Sequence, residues 1–364
     1  MWRGHSCLPR RDSSRRLGNH FMLPGLAVSL LLLCLLASTA ASAQGAAIDG
    51  AGSTFLAPLY QRWIETFLAN RPQDHVQYEA AGSGEGLRRL AQGKVDFAGS
   101  DVCEAPGASA AEMVCLPVVA GAVVPIFNVP GVARDLHMTP QALAGIFLGA
   151  VKRWNDPLIR EPNRGVHLPD LEILVVHRAD ASGTTYAFSD YLSKVDSKWR
   201  ASAGAAITIQ WPTGRAETGN EGVAQLVEHT PGSIGYVEFL YALRHRLGMI
   251  ALRNTAGRYT RADLETVTAA AESAEPGFNA DSPPPTISNA PAEKAYPIAT
   301  FSWLILPVKA NDPEKSRLLL EFVDWILDAG QHQAAGLGYV AIPDKVLRAE
   351  RVTLARLRGS AVGR

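Results

Sequence analysis

The chain has 364 residues and balances 35 basic against 35 acidic side chains, so it is long enough for two domains and carries no formal net charge. No Lys/Arg-rich run or aromatic-basic stripe occurs in it, which argues against nucleic acid or an anionic membrane as partner. Its nine histidines and four cysteines show neither His-Glu-x-x-His nor paired-cysteine spacing, so no metal centre is expected.

Residues 1–43 read as a signal peptide. Arg3, Arg10, Arg11, Arg15 and Arg16 make a basic leader, Leu26 to Leu36 an apolar core, and Ala41-Ser42-Ala43 a small-x-small cleavage signal ahead of Gln44. The core is short against the roughly 20 residues of a membrane span, so cleavage near Ala43 is expected rather than a retained anchor. Met22 is an alternative start. Ser14-Arg15-Arg16 resembles a twin-arginine signal, but Leu17-Gly18-Asn19 fits it poorly. Cys34 lies within the apolar core, which argues against a lipoprotein. The segment implies export across the inner membrane of a bacterium. Its removal leaves 30 basic against 34 acidic residues, a net charge of −4, and retains only Cys103 and Cys115. In an oxidising compartment this pair is a candidate disulfide, contributing roughly 3 kcal/mol by loop entropy; two free buried thiols are the alternative.

The mature region opens with a short apolar strand ending in Gly50-Ala51-Gly52. Phe55, Leu59, Trp63 and Phe67 then recur every fourth residue, which predicts a helix with one buried stripe and Pro58 in its first turn. "HVQYEAAGSGEGLRRLAQGKVDFAGSDV" reads as strand, glycine turn, short helix and a strand from Val95 to Ala98. "VCLPVVAGAVVPIFNVP" (114–130) is a long β-rich run suited to pass between two lobes. Thr139 caps a helix with Pro140 at its first position and Leu143, Ile146 and Phe147 buried. "LEILVVHRADASG" is a buried parallel-type strand, and "GSIGYVEFLYAL" a strand running into a helix. "SPPPTISNAP" (282–291) reads as a surface loop. "AYPIATFSWLILPV" is a strong apolar strand, followed by an amphipathic helix expected to close near Gly330. Strands alternating with helices indicate an α/β protein with mostly parallel sheets flanked by helices.

Three strand ends share one composition: Gly52-Ser53-Thr54-Phe55, Gly82-Ser83-Gly84-Glu85-Gly86 and Asp180-Ala181-Ser182-Gly183-Thr184. Each offers hydroxyls and unhindered N–H groups where a helix starts, and a helix N-terminus attracts anions. Ordinary N-capping explains any one of them; three together, with Arg178 beside the last, point to an oxyanion site. Arg178 can give two parallel hydrogen bonds to an oxyanion, with Asp180 holding its guanidinium; a surface ion pair is the plainer alternative. Asp101 repels a fully ionised anion but accepts the proton that hydrogen phosphate carries and sulfate lacks.

Catalytic frameworks are missing. No serine has glycines at both −2 and +2, as a nucleophile elbow requires. His177, Asp180 and Ser182 crowd one strand end too closely to form a triad. Gly93-Lys94 is followed by Val95 rather than the Ser/Thr of a P-loop. No enzyme activity, catalytic residue or cofactor is expected.

"GAGSTFLAPLYQRW", "GSGEG", "VDFAGSD", "RADASGTTYAFSDYL" and "NEGVAQLVEHTPGSIGYVE", in this order and spacing over essentially the whole mature region, resemble the PstS family. These are the periplasmic phosphate-binding proteins of the high-affinity phosphate ABC importer. The resemblance implies a two-lobed periplasmic binding protein fold of type II, with ligand in the inter-lobe cleft. Lobe I would be discontinuous, 46–121 with 297–364, and lobe II would be 122–296. It places phosphate on Thr54, Phe55, Ser83 and Asp101 from one lobe and on Arg178, Ser182, Gly183 and Thr184 from the other, with Asp180 bracing Arg178. It further implies a monomer in the periplasm that delivers phosphate to ABC permease subunits. An exported oxyanion-binding module for scavenging, signalling or adhesion, without a permease, is the alternative. His177 stands where the family commonly has a second arginine, and Glu85 where it has a small residue; a Glu85 facing the cleft would weaken anion binding.

Overall fold

Strand and helix alternate along the chain as the apolar periodicity predicts. The structure is a computed structural model that describes residues 45–103, 113–132, 135–273, 286–308 and 312–362; the signal segment 1–43 and part of the 282–291 loop lie outside these. β1 (Ala47–Gly52), α1 (Ala57–Leu68), β2 (His75–Glu79), α2 (Ser83–Ala91) and β3 (Phe97–Ser100) come first, followed by the long β4 (Met113–Phe127). Then come β5 (Leu136–Met138), α3 (Pro140–Phe147), α4 (Pro157–Arg160), β6 (Leu174–Arg178), α5 (Gly183–Val195), α6 (Ser197–Ser202), β7 (Arg215–Glu217) and α7 (Gly219–His229). β8 (Ser233–Glu238), α8 (Phe239–Arg244), β9 (Gly248–Arg253), β10 (Tyr259–Thr260) and α9 (Leu264–Glu272) follow. β11 (Ala299–Pro307), α10 (Pro313–Trp325), α11 (Gln331–Ala334), β12 (Val340–Ala341) and α12 (Asp344–Val362) complete the chain.

The main strand order is β2-β1-β3-β11-β4-β8-β6-β7. β1 is parallel to β2 and β3, and β6 is parallel to β7 and β8, so each wing is built from parallel strands. β11 and β4 join the wings and run antiparallel to their neighbours. One strand serves both: β4 pairs β11 over 113–122 and β8 over 123–127. A hydrophobic run that is buried on both faces needs no polar alternation, which is why 116–127 reads as continuously apolar.

Packing follows the predicted faces. Phe55, Leu59 and Trp63 are fully buried and Phe67 nearly so. Thr139 Oγ1 accepts the Ala142 N–H at 3.2 Å, and Leu143, Ile146 and Phe147 are fully buried. One aromatic cluster joins Tyr60, Phe97 and Phe322 in the first wing; another joins Phe147, Phe188 and Tyr236 in the second. The β3 strand sits slightly later than expected, at Phe97–Ser100 rather than Val95 to Ala98. The helix expected to stop near Gly330 instead passes through a π-turn at Ile326–Gly330 into α11. The indole of Trp63 donates to the Gly330 carbonyl at 2.9 Å, and a Cβ on Gly330 would lie 3.2 Å from that nitrogen. That glycine marks a close approach, not a helix end. Among the described residues no helix is long and apolar enough to cross a membrane.

Candidate functional site

The loops after β1, β2, β3 and β6 leave the carboxyl ends of parallel strands and meet, as open α/β sheets dispose their ligand sites. All three predicted turns therefore take part in one site. Thr54, Phe55, Ser83, Asp101, Arg178, Ser182 and Thr184 are all buried there.

Asp101 follows directly on β3. Ser53 Oγ lies 3.0 and 2.8 Å from its two carboxylate oxygens, and Ser302 Oγ donates to Oδ1 at 2.7 Å. The Asp101 amide approaches Ser83 Oγ at 3.4 Å. Burial pushes the Asp101 carboxyl up to about 6, against the lowering effect of Ser302, Ser53 and the charge of Arg178. At neutral pH it is ionised, with acceptor capacity beyond the two serines. Ser53 Oγ also receives the Phe55 N–H at 3.1 Å, and Tyr339 donates to the Phe55 carbonyl at 2.6 Å.

Arg178 ends β6. Its Nε donates to Asp180 Oδ1 at 2.7 Å and its Nη2 to Oδ2, a bidentate fork, while Nη1 reaches Thr184 Oγ1 at 3.4 Å. Burial alone would raise the Asp180 carboxyl, but the Arg178 bonds and charge, with the Gly219 N–H at 3.0 Å, hold it below its ordinary value. Arg178 is buried and Asp180 only partly exposed, so the surface ion pair considered from sequence does not describe them. Ser182 caps α5 by accepting the Thr185 N–H at 3.1 Å, and Gly183 and Thr184 form the helix's first turn, which contains no acidic residue.

The second wing closes directly on the first. The Gly84 N–H donates to the Ala181 carbonyl at 3.0 Å, and Tyr241 donates to the Thr54 carbonyl at 2.8 Å. Asn220 Nδ2 donates to Thr54 Oγ1 at 2.8 Å. Such a cluster, with a fixed guanidinium, several hydroxyls, a helix N-terminus and one ionised acceptor, suits a small tetrahedral oxyanion that still bears a proton. Among the described residues no cluster of His, Cys, Asp and Glu could hold a metal ion.

Glu85 and His177, two of the departures from the family pattern, each have partners of their own. Glu85 is bound by Arg88 at 2.6 Å and Arg89 at 2.7 Å, and these partners hold its carboxyl at about 2. Its charge is neutralised by its own helix. His177 stacks on Trp211 with ring centroids 4.8 Å apart, and burial lowers its pKa, which favours the neutral ring. Cys103 and Cys115 are joined by a disulfide.

Sequence reasoning assigned no role to Ser53, Ser302, Asn220 or Tyr241. Ser302 left a faint signal, as a small hydroxyl within the otherwise apolar "TFSWLIL". Asn220 lies inside a quoted stretch, but only the fold brings it against Thr54, 166 positions away.

A family model for a PBP superfamily domain matches residues 37–329. The phosphate-binding protein PstS of Pasteurella multocida is 35% identical over 322 residues, 88% of this chain and 93% of its own length. That of Xylella fastidiosa is 38% identical over 303 residues, 83% of each chain. Among solved structures, a phosphate-binding protein from Stenotrophomonas maltophilia aligns with a TM-score of 0.64 at 19% identity, covering 84% of this chain and 93% of its own, and shares the fold. The chain belongs to the PstS family of phosphate-binding proteins, with the two-lobed α/β fold of the PBP superfamily.

Proposed function

We propose that this protein is an exported receptor that binds inorganic phosphate in the periplasm and hands it, as a monomer, to the permease subunits of a phosphate ABC importer. Lobe I comprises 46–121 and 297–364, and lobe II 122–296. Phosphate is held by the Thr54 and Phe55 turn, Ser83 and Asp101 of lobe I, and by Arg178, Ser182, Gly183 and Thr184 of lobe II, with Asp180 bracing the arginine. The observation that carries this reading is the pairing of one buried carboxylate, Asp101, with one buried guanidinium, Arg178, across a ring of hydroxyls. The guanidinium supplies charge; the carboxylate accepts the proton of hydrogen phosphate. Sulfate offers no proton, so its lone pairs would face an unpaired buried acceptor, at a penalty of several kcal/mol. Because both lobes supply ligands, binding favours the closed arrangement, and closure gives the permease a surface that separates loaded from empty receptor. The protein performs no chemistry on its ligand.

Calorimetry on the processed chain with phosphate, arsenate and sulfate across pH tests this. Tight phosphate binding with weak sulfate binding is expected. Tight sulfate binding, or no phosphate binding, overturns the reading.

A further inference from the structure

Asn220 is fully buried at the start of α7. Its Oδ1 accepts the Glu238 N–H at 3.0 Å, which fixes the amide's orientation and turns Nδ2 toward Thr54. Nδ2 donates to Thr54 Oγ1 at 2.8 Å, and the Asn220 backbone N–H reaches the same oxygen at 3.3 Å. Nδ2 also approaches Thr184 Oγ1 at 3.4 Å, an oxygen that Arg178 Nη1 meets at 3.4 Å.

A threonine hydroxyl has one proton and two lone pairs, and an amide nitrogen cannot accept. Both lone pairs of Thr54 Oγ1 face N–H donors, and so do both of Thr184 Oγ1. Each hydroxyl is left with nothing to do but donate. The two threonines come from the turn after β1 and the helix start after β6, so a single side chain supplies a donor to both walls of the site.

We infer that Asn220 is a positioning residue that makes Thr54 and Thr184 obligate donors, so that bound phosphate must turn unprotonated oxygens to both and its proton to Asp101. This rests on the phosphate-receptor reading above and adds to it: the carboxylate selects for a proton, and Asn220 dictates where that proton lies.

Calorimetric titration of wild type, Asn220→Ala and Asn220→Asp with inorganic phosphate, from mildly acid to mildly alkaline pH, tests the assignment. Asn220→Ala frees lone pairs on both threonines. At alkaline pH it should bind about 10- to 100-fold more weakly, from the lost donors and an orphaned Glu238 amide. That deficit should shrink as pH falls, because a more protonated phosphate can then donate to the released hydroxyls. Asn220→Asp keeps the shape and the acceptor for Glu238, so it protects the fold. Its carboxylate, however, accepts from both threonines and turns their protons from the ligand. It should therefore bind more weakly than Asn220→Ala at alkaline pH. A space-filling role predicts the reverse order and a deficit independent of pH. If wild type binds phosphate and either of those results appears, the assignment to Asn220 falls while the receptor reading stands. If wild type takes up no phosphate, the receptor reading fails and the assignment with it.

Discussion

Gly183 lies against Asp101 so closely that a Cβ on the glycine would sit 2.6 Å from the Cβ of the aspartate and 2.7 Å from Ser83 Oγ. Contacts that short do not exist between real side chains, so the first turn of α5 can meet β3 only without a side chain at this position. Gly183→Ala should hold the two wings apart. Its unliganded stability should stay near wild type, because α5 tolerates alanine well. Its phosphate affinity should fall by about 100-fold or more, corresponding to the roughly 3 kcal/mol of a misfit at a packed contact. Isothermal titration beside thermal unfolding checks this; equal affinities would mean that ligand-bound closure does not need this contact.

Asp101→Asn should erase most of the discrimination between phosphate and sulfate. Asparagine can present an N–H to an oxygen that carries no proton, whereas the ionised aspartate cannot. The same argument makes selectivity pH-dependent in the unmodified protein. As pH falls through about 6, where burial has placed this carboxyl, Asp101 gains a proton and becomes a donor, so sulfate should compete better at acid pH. Competition titrations with sulfate at neutral and acid pH measure it, and undiminished selectivity in Asp101→Asn would remove the proton-acceptor role.

How far the sequence foretold this site depends on the range of each interaction. Turns whose function is local, such as the Ser182 cap of α5 or the Arg178–Asp180 fork two residues apart, were legible because their partners lie within one turn of chain. The wings were legible through buried apolar runs such as β4. The residues that hold the candidate ligand groups were not. Ser302 reaches Asp101 across 201 positions, and Tyr241 reaches Thr54 across 187, through strand pairings that periodicity does not specify. The Trp63 bond to Gly330, 267 positions apart, explains equally why a glycine that looked like a helix stop is a packing contact.

The disulfide between Cys103 and Cys115 begins two residues after Asp101 and ties that strand end to β4. Replacing both cysteines by serine should lower unfolding free energy by about 3 kcal/mol, the loop-entropy value for a closure of this size. Reductant should lower the denaturation midpoint of wild type and leave the double variant unaffected. An unchanged midpoint in both would mean that the bridge adds nothing to stability.

Two glutamates should make the unliganded protein lose stability as pH rises. Glu238 is fully buried at the end of β8, where its carboxylate makes no hydrogen bond of good geometry among the described residues. Burial pushes it up to about 8, and nearby amides of Leu240 and Tyr241 with the charge of Arg244 offset only part of this. Glu350 lies on the buried face of α12 with Val346 and Leu354, and burial likewise pushes it to about 8. An unfolded chain releases these protons near the ordinary value of 4.5, so between there and about pH 8 the native state holds protons that the unfolded state does not. Stability is then greatest at the acid end of that window, as far as these groups contribute, and is lost as pH climbs through it. Glu238→Gln with Glu350→Gln supplies neutral side chains of the same shape, which should flatten the profile and leave the variant more stable than wild type above pH 8. Denaturant unfolding across the window decides it: parallel profiles for the two proteins would mean that neither glutamate is held protonated by the fold.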